Sequence, residues 1–230
     1  MNATRGTALA LILLGLASSS HAGDITGRIT IKGTPPPERP VGLGSEVELA
    51  AKYPKGLTTR HYRVGPEGGL RDVLVYLRGA FDAAAFDSPS TLPVLDHADG
   101  FFEPQVLGIR AGQQLKLECT DGTVCSFHAT AKANQEFSIA PMQGAVLRAF
   151  EHAEVPVRFK CDLHPWNHAY VGVFAHPFFA VTDAQGRFTI RGIPAGKHTL
   201  EVFHPRCGLS AKPVEVTEGA TTVGLEVEAK

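Results

Sequence analysis

Residues 155–174 read Val155-Pro156-Val157-Arg158-Phe159-Lys160-Cys161-Asp162-Leu163-His164-Pro165-Trp166-Asn167-His168-Ala169-Tyr170-Val171-Gly172-Val173-Phe174, and they decide the fold. Val155, Val157, Phe159 and Cys161 recur at a period of two, the spacing of a strand with one face in a core. The stretch predicts strands at 155–161 and 169–174 with a short loop between them. That loop carries a thiol and an imidazole three residues apart, Cys161 and His164. Held between two strands, they can converge on one ion, and thiolate with imidazole suits copper or zinc.

Further strands are predicted at 24–32, 71–78, 106–109, 115–119, 137–139 and 146–150. From Phe178 the pattern tightens: strands at 179–182 and 187–190 flank the turn Asp183-Ala184-Gln185-Gly186, and others follow at 198–203, 214–216 and 223–227. One short helix is expected, where Ser45-x-x-Glu48 fits a capping box and Pro54 ends it. With 24 Gly and 16 Pro punctuating short apolar runs, the chain reads as all-β, a Greek-key β-sandwich followed by a smaller one. The expected boundaries are 1–22 for a signal peptide, 23–177 for the first sandwich and 178–230 for the second. The strand at 24–32 can pack with either.

The 230 residues carry 22 Lys+Arg against 23 Asp+Glu, so a net charge of −1 gives no basic surface for nucleic acid. Arg5, the apolar run 8–17 and Ser20-His21-Ala22 have the order of a secretory signal with cleavage near Ala22. The run is too short to span a bilayer, and no later segment is more apolar. The expectation is a periplasmic or secreted protein without a transmembrane segment. In such a compartment a thiol is oxidised unless metal or burial protects it.

Four cysteines are too few for a disulfide scaffold, so each needs its own account. A second polar loop, Cys119-Thr120-Asp121-Gly122-Thr123-Val124-Cys125-Ser126-Phe127-His128, follows the strand at 115–119. Cys119 and Cys125 can bridge across it, which frees Cys161; a Cys125–Cys161 bridge is the alternative and would remove the thiolate. Cys207, in the tail, has no obvious partner.

The Cys161 loop resembles the ligand loop of small blue copper proteins, the cupredoxins, with an amicyanin-like C-x-x-H-P-aromatic form. Residues 24–230 resemble exported proteins of the methylamine utilisation or plastocyanin-like type. Those join a cupredoxin domain to a carboxypeptidase regulatory-like β-sandwich of immunoglobulin-like or transthyretin-like form. The tail Phe179-Ala180-Val181-Thr182-Asp183-x-x-Gly186-x-Phe188-x-Ile190, with Pro194-x-Gly196-x-His198-x-Leu200, carries the second half of the likeness. The resemblance implies Cys161 as copper thiolate and His164 as a histidine ligand. Asn167 falls at the position of the weak axial Met. Cys125 falls at the upstream histidine, and His128 matches a second, often non-ligating, histidine. With Cys125 and His128 the set becomes Cys2His2, which suits Cu(I) or zinc better than a type 1 blue copper centre.

Trp166, the single tryptophan, reads as a plug over the loop or as part of a docking patch for a redox partner protein. His61, His97, His152, His176 and His204 carry no functional expectation. No Ser-His-Asp spacing, phosphate-cradling glycine loop or H-E-x-x-H helix is present, so nothing argues for an enzyme. The sequence leaves an exported copper protein acting in electron transfer or copper handling. Its rival is a metal-free β-sandwich module with a disulfide-locked loop, binding a protein or carbohydrate.

Overall fold

A computed structural model describes residues 22–44, 46–120, 122, 124–141 and 144–230. In chain order the strands are β1 (Ala22–Lys32), β2 (Pro40–Val41), β3 (Leu57–Thr58), β4 (Leu74–Arg78), β5 (Val94–Ala98) and β6 (Phe101–Glu103). They continue with β7 (Val106–Arg110), β8 (Gln114–Cys119), β9 (Phe127–Thr130), β10 (Phe137–Ile139), β11 (Ala145–Ala149) and β12 (Glu154–Lys160). The last are β13 (His168–Phe174), β14 (Phe179–Val181), β15 (Arg187–Pro194), β16 (Gly196–His204), β17 (Gly208–Val216) and β18 (Gly219–Glu228). One helix, α1 (Val47–Lys52), buries Leu49. Its N-cap is Glu46, which makes no side-chain cap bond; Ser45 of the expected capping box and residues 1–21 of the expected signal peptide, 1–22, lie outside the described residues. No described helix is long and apolar enough to cross a membrane.

The first sandwich pairs a five-stranded sheet, β10-β9-β12-β13-β7, with a four-stranded one, β11-β8-β5-β6. Alternation along β12 puts Val157 and Phe159 inside and Arg158 outside, as a strand with one buried face requires. Their core includes Leu95, Phe102, Leu117, Phe127, Phe150, Phe159 and Val171.

The second sandwich is not confined to the tail. Its sheets are β15-β1-β18 and β14-β4-β16-β17, so residues 22–32 and 74–78 complete a body otherwise built from residues 179–228. The N-terminal strand therefore packs with the tail, and the strand at 71–78, expected in the first sandwich, belongs to the second. The reason is visible in β4, where four consecutive apolar residues, Leu74 to Leu77, are all buried. A run without alternation needs cover on both faces. Val75 and Leu77 join the core with Ile25, Ile29, Ile190 and Val202, while Leu74 and Tyr76 pack with Val106 and Phe174 of the first sandwich.

The sandwiches meet at a flat spot made by glycine. Gly108 and Gly172 are register partners on β7 and β13. A Cβ at Gly108 would lie 2.5 Å from the Phe179 ring, and one at Gly172 would lie 2.4 Å from Leu74. Only a bare backbone admits both side chains.

Candidate metal centre

Three buried side chains converge at one end of the first sandwich. His97, Cys161 and His164 each offer one donor atom, and the three atoms all lie within 4.8 Å of one another. They come from opposite sheets. His97 sits on β5, whose alternation sends Leu95 and His97 inward; it is paired with Cys119 on β8 and Phe102 on β6. Cys161 directly follows β12, and His164 lies on the loop to β13. All three are at most 1% exposed.

The loop is shaped by its own backbone. The Asn167 N–H donates to the His164 carbonyl at 2.9 Å, and the Cys161 N–H donates to the Asn167 carbonyl at 3.1 Å. Asn167 Oδ1 accepts the Phe102 N–H at 2.7 Å, which ties the loop to β6. Trp166 Nε1 donates to the Gly100 carbonyl, and its ring lies 5.2 Å from that of His164. Two anchors thus hold the loop across the sheet edge, and the half-buried indole covers His164.

Around the sulfur the environment favours the anion. His164 Nδ1 lies 3.3 Å from Cys161 Sγ, the Ser126 N–H donates to the sulfur at 3.5 Å, and Ser126 Oγ lies 3.7 Å away. Ser126 Oγ accepts the Asp162 N–H at 2.7 Å, which leaves its proton available to the sulfur. Burial pushes the Cys161 thiol up, but hydrogen bonds from His164, His97 and Ser126 outweigh it and bring the pKa down to about 5. His164 is shifted up, first by its bond to that sulfur and against the effect of burial. Its outer nitrogen, Nε2, lies 3.4 Å from Glu46 at the start of α1, the carboxylate–imidazole contact that orients histidine ligands.

The remaining expected ligands are elsewhere. Cys125 is bonded to Cys119 with a Cα–Cα separation of 6.5 Å, so it offers no thiolate, and the alternative bridge to Cys161 is not formed. Cys125 is buried in the sandwich core, six positions after Cys119 in the sequence. Cys161 and Cys207 are the free cysteines. His128 points to the flank, with Nδ1 3.0 Å from both carboxylate oxygens of Asp162. The Cys2His2 set therefore gives way to His97, Cys161 and His164. Asn167 is adjacent to the trio, with its oxygen engaged by β6. Sequence reading passed over His97; the available signal was a histidine two residues from Leu95, on the apolar side of a strand bounded by Pro93 and Gly100.

The donor chemistry fits copper. A preformed thiolate and two imidazoles are the borderline-to-soft set that copper takes, and the thiolate need not lose a proton to bind it. Among the described residues no further His, Cys, Asp or Glu atom joins the group. Zinc completes a tetrahedron and is less well served.

No family model matches the chain, and no curated protein matches it. Among solved structures, a reduced Cu(I) form of an amicyanin variant at pH 4 shares 21% identity at a TM-score of 0.33, covering 44% of this chain and 98% of that one. A purple cupredoxin from Nitrosopumilus maritimus shares 17% identity at a TM-score of 0.30, over 36% of this chain and 99% of that one. A copper-containing nitrite reductase from Thermus scotoductus SA-01 shares 16% at a TM-score of 0.33, over 42% of this chain and 27% of that one.

Proposed function

We propose that His97, Cys161 and His164 hold one copper ion and that the protein serves electron transfer or copper handling in an exported setting. The observation that carries this reading is the buried trio, two imidazoles and an anionic sulfur brought together from opposite sheets. Bound there, copper supplies a one-electron couple. The chain's own contribution is to keep the donors fixed and dry. Ser126 donates to the sulfur, Glu46 orients His164, Asn167 pins the loop and Trp166 shields one side. Asn167 Oδ1 is taken by the Phe102 N–H, so three donors, His97, Cys161 and His164, would hold the ion.

Segment 1–22 acts as the export signal in this reading, and the second sandwich serves as a carboxypeptidase regulatory-like module beside a cupredoxin-like one. A redox partner protein docks at the loop beside Trp166, where Leu163 is 53% exposed and Pro165 is exposed.

The test is to load the purified protein with Cu(II) and record its visible spectrum. An intense thiolate-to-copper band at one copper per chain, abolished in Cys161→Ser, is expected. Failure to bind copper or zinc at micromolar concentration under reducing conditions overturns the metal reading.

A further inference from the structure

A second constellation lies beside the metal loop and uses none of the three metal donors. A narrow cleft where the two sandwiches adjoin is lined by residues from both, among them His61, Trp166, His168 and Arg206. Arg206 comes from the turn between β16 and β17, while His168 stands at the start of β13. Arg158, on β12, flanks His168 from the exposed side.

The guanidinium groups here face imidazole rings rather than carboxylates. Arg206 Nη2 lies 2.8 and 2.5 Å from Nδ1 and Nε2 of His61. Arg158 Nη2 lies 3.5 and 3.3 Å from the two ring nitrogens of His168. A neutral imidazole has one acceptor nitrogen, so a single Nη2 near both ring nitrogens makes at most one hydrogen bond, and each guanidinium keeps most of its five N–H donors unspent. Among the described residues no carboxylate forms an ion pair with Arg158 or Arg206. The nearby acids have other partners: Glu103 pairs with Arg60 and Arg63, and Glu38 accepts from Thr59 and the Tyr62 N–H.

The arginine from the tail is held in place. His204, 2% exposed, accepts the backbone N–H groups of Arg206 and Cys207 through Nδ1 at 3.3 and 3.2 Å. A buried ring therefore fixes the turn that presents Arg206. Burial first, and then the charges of Arg158 and Arg206, hold His168 down at about 4.

We propose that a small oxyanion, a carboxylate or phosphate group, binds at the mouth of this cleft on the exposed Arg206, with the exposed Arg158, beside His168, as the second cation. Planar forks of N–H donors match such groups two bonds at a time, and an anion there relieves the repulsion among the cations. The site joins the two sandwiches, since one arginine comes from each.

Trp166 is the only tryptophan and lines the cleft, so its fluorescence reports occupancy directly. The metal-free full chain is titrated at constant ionic strength with inorganic phosphate, with acetate and with chloride. A saturable change with phosphate or acetate, absent with chloride, is expected; whichever of the two saturates identifies the group. Arg206→Gln and Arg158→Gln, on different sandwiches, should each weaken binding about tenfold. No saturable response, an equal response to chloride, or unchanged titrations in both variants overturns the proposal. Because the titration uses no metal, its outcome is separate from that of the copper reading.

Discussion

His97 and His128 show how position, and not residue type, decides what an imidazole can do. His97 faces the core from β5 and meets a thiolate; His128 faces outward from β9 and meets Asp162. Replacing His97 by Asn should lower copper affinity by well over tenfold, since even outer-shell partners of a metal ligand are worth that much. Replacing His128 by Ala should leave affinity unchanged. Competition against a chelator of known affinity reads both, and equal losses in the two variants would contradict the assignment. Cys161 and His164 were legible in the sequence because three residues of loop bring them together. His97 was not, because its partners are supplied by a sheet that closes only in the folded chain. Motif spacing placed Cys125 where an upstream histidine was expected, and the disulfide shows why spacing misled: the 119–125 turn is closed by its own covalent bond.

At the scale of elements, that disulfide links two supports of the candidate centre. Cys119 ends β8 opposite His97, whose carbonyl accepts the Thr120 N–H at 3.2 Å. Cys125 precedes Ser126, whose N–H and hydroxyl serve the Cys161 sulfur. Closing so short a loop removes little unfolded-state entropy, so Cys119→Ser/Cys125→Ser should cost only about 2 kcal/mol in a urea titration. The local effect should be larger than the global one. Alkylation of Cys161 by a neutral thiol reagent should speed up severalfold as the Ser126 segment loosens, and an unchanged rate would show that this segment is held by packing alone. The strands at 155–161 and 169–174 were legible from alternation. The partnership of β4 was not, because an unbroken apolar run says that both faces are covered without saying by what.

For the whole molecule, acid should act on the second sandwich through two buried imidazoles. Nδ1 of His204 accepts backbone N–H groups, and Nδ1 of His176 accepts the Phe178 N–H at 3.1 Å, so neither ring can protonate there without losing a bond. Burial holds both at about 4, against 6.5 for the free side chain. The sign follows: above pH 6.5 both states are neutral and stability is full. As pH falls from 6.5 toward 4 the unfolded chain takes up protons that the folded chain refuses, and stability drops by a few kcal/mol in total. Urea midpoints measured from pH 7 to 4.5 should fall accordingly, and His204→Asn, which keeps an acceptor that does not titrate, should flatten the slope. A midpoint constant over that range would contradict the burial argument. The all-β class and the presence of two sandwiches were readable from the chain; their interleaving was not, since strand pairing between residues 22–32 and 219–228 leaves no local mark.

That interleaving has a consequence for how the chain is put together. β4 and β14 are antiparallel neighbours, with Tyr76 opposite Phe179, so the stretch 79–178 leaves and re-enters the second sandwich at adjacent points. In the geometry of the host, the whole metal-bearing body occupies the place of a hairpin turn. It is a guest in an otherwise closed fold, and any cut made at 177 would leave its host without two of its strands.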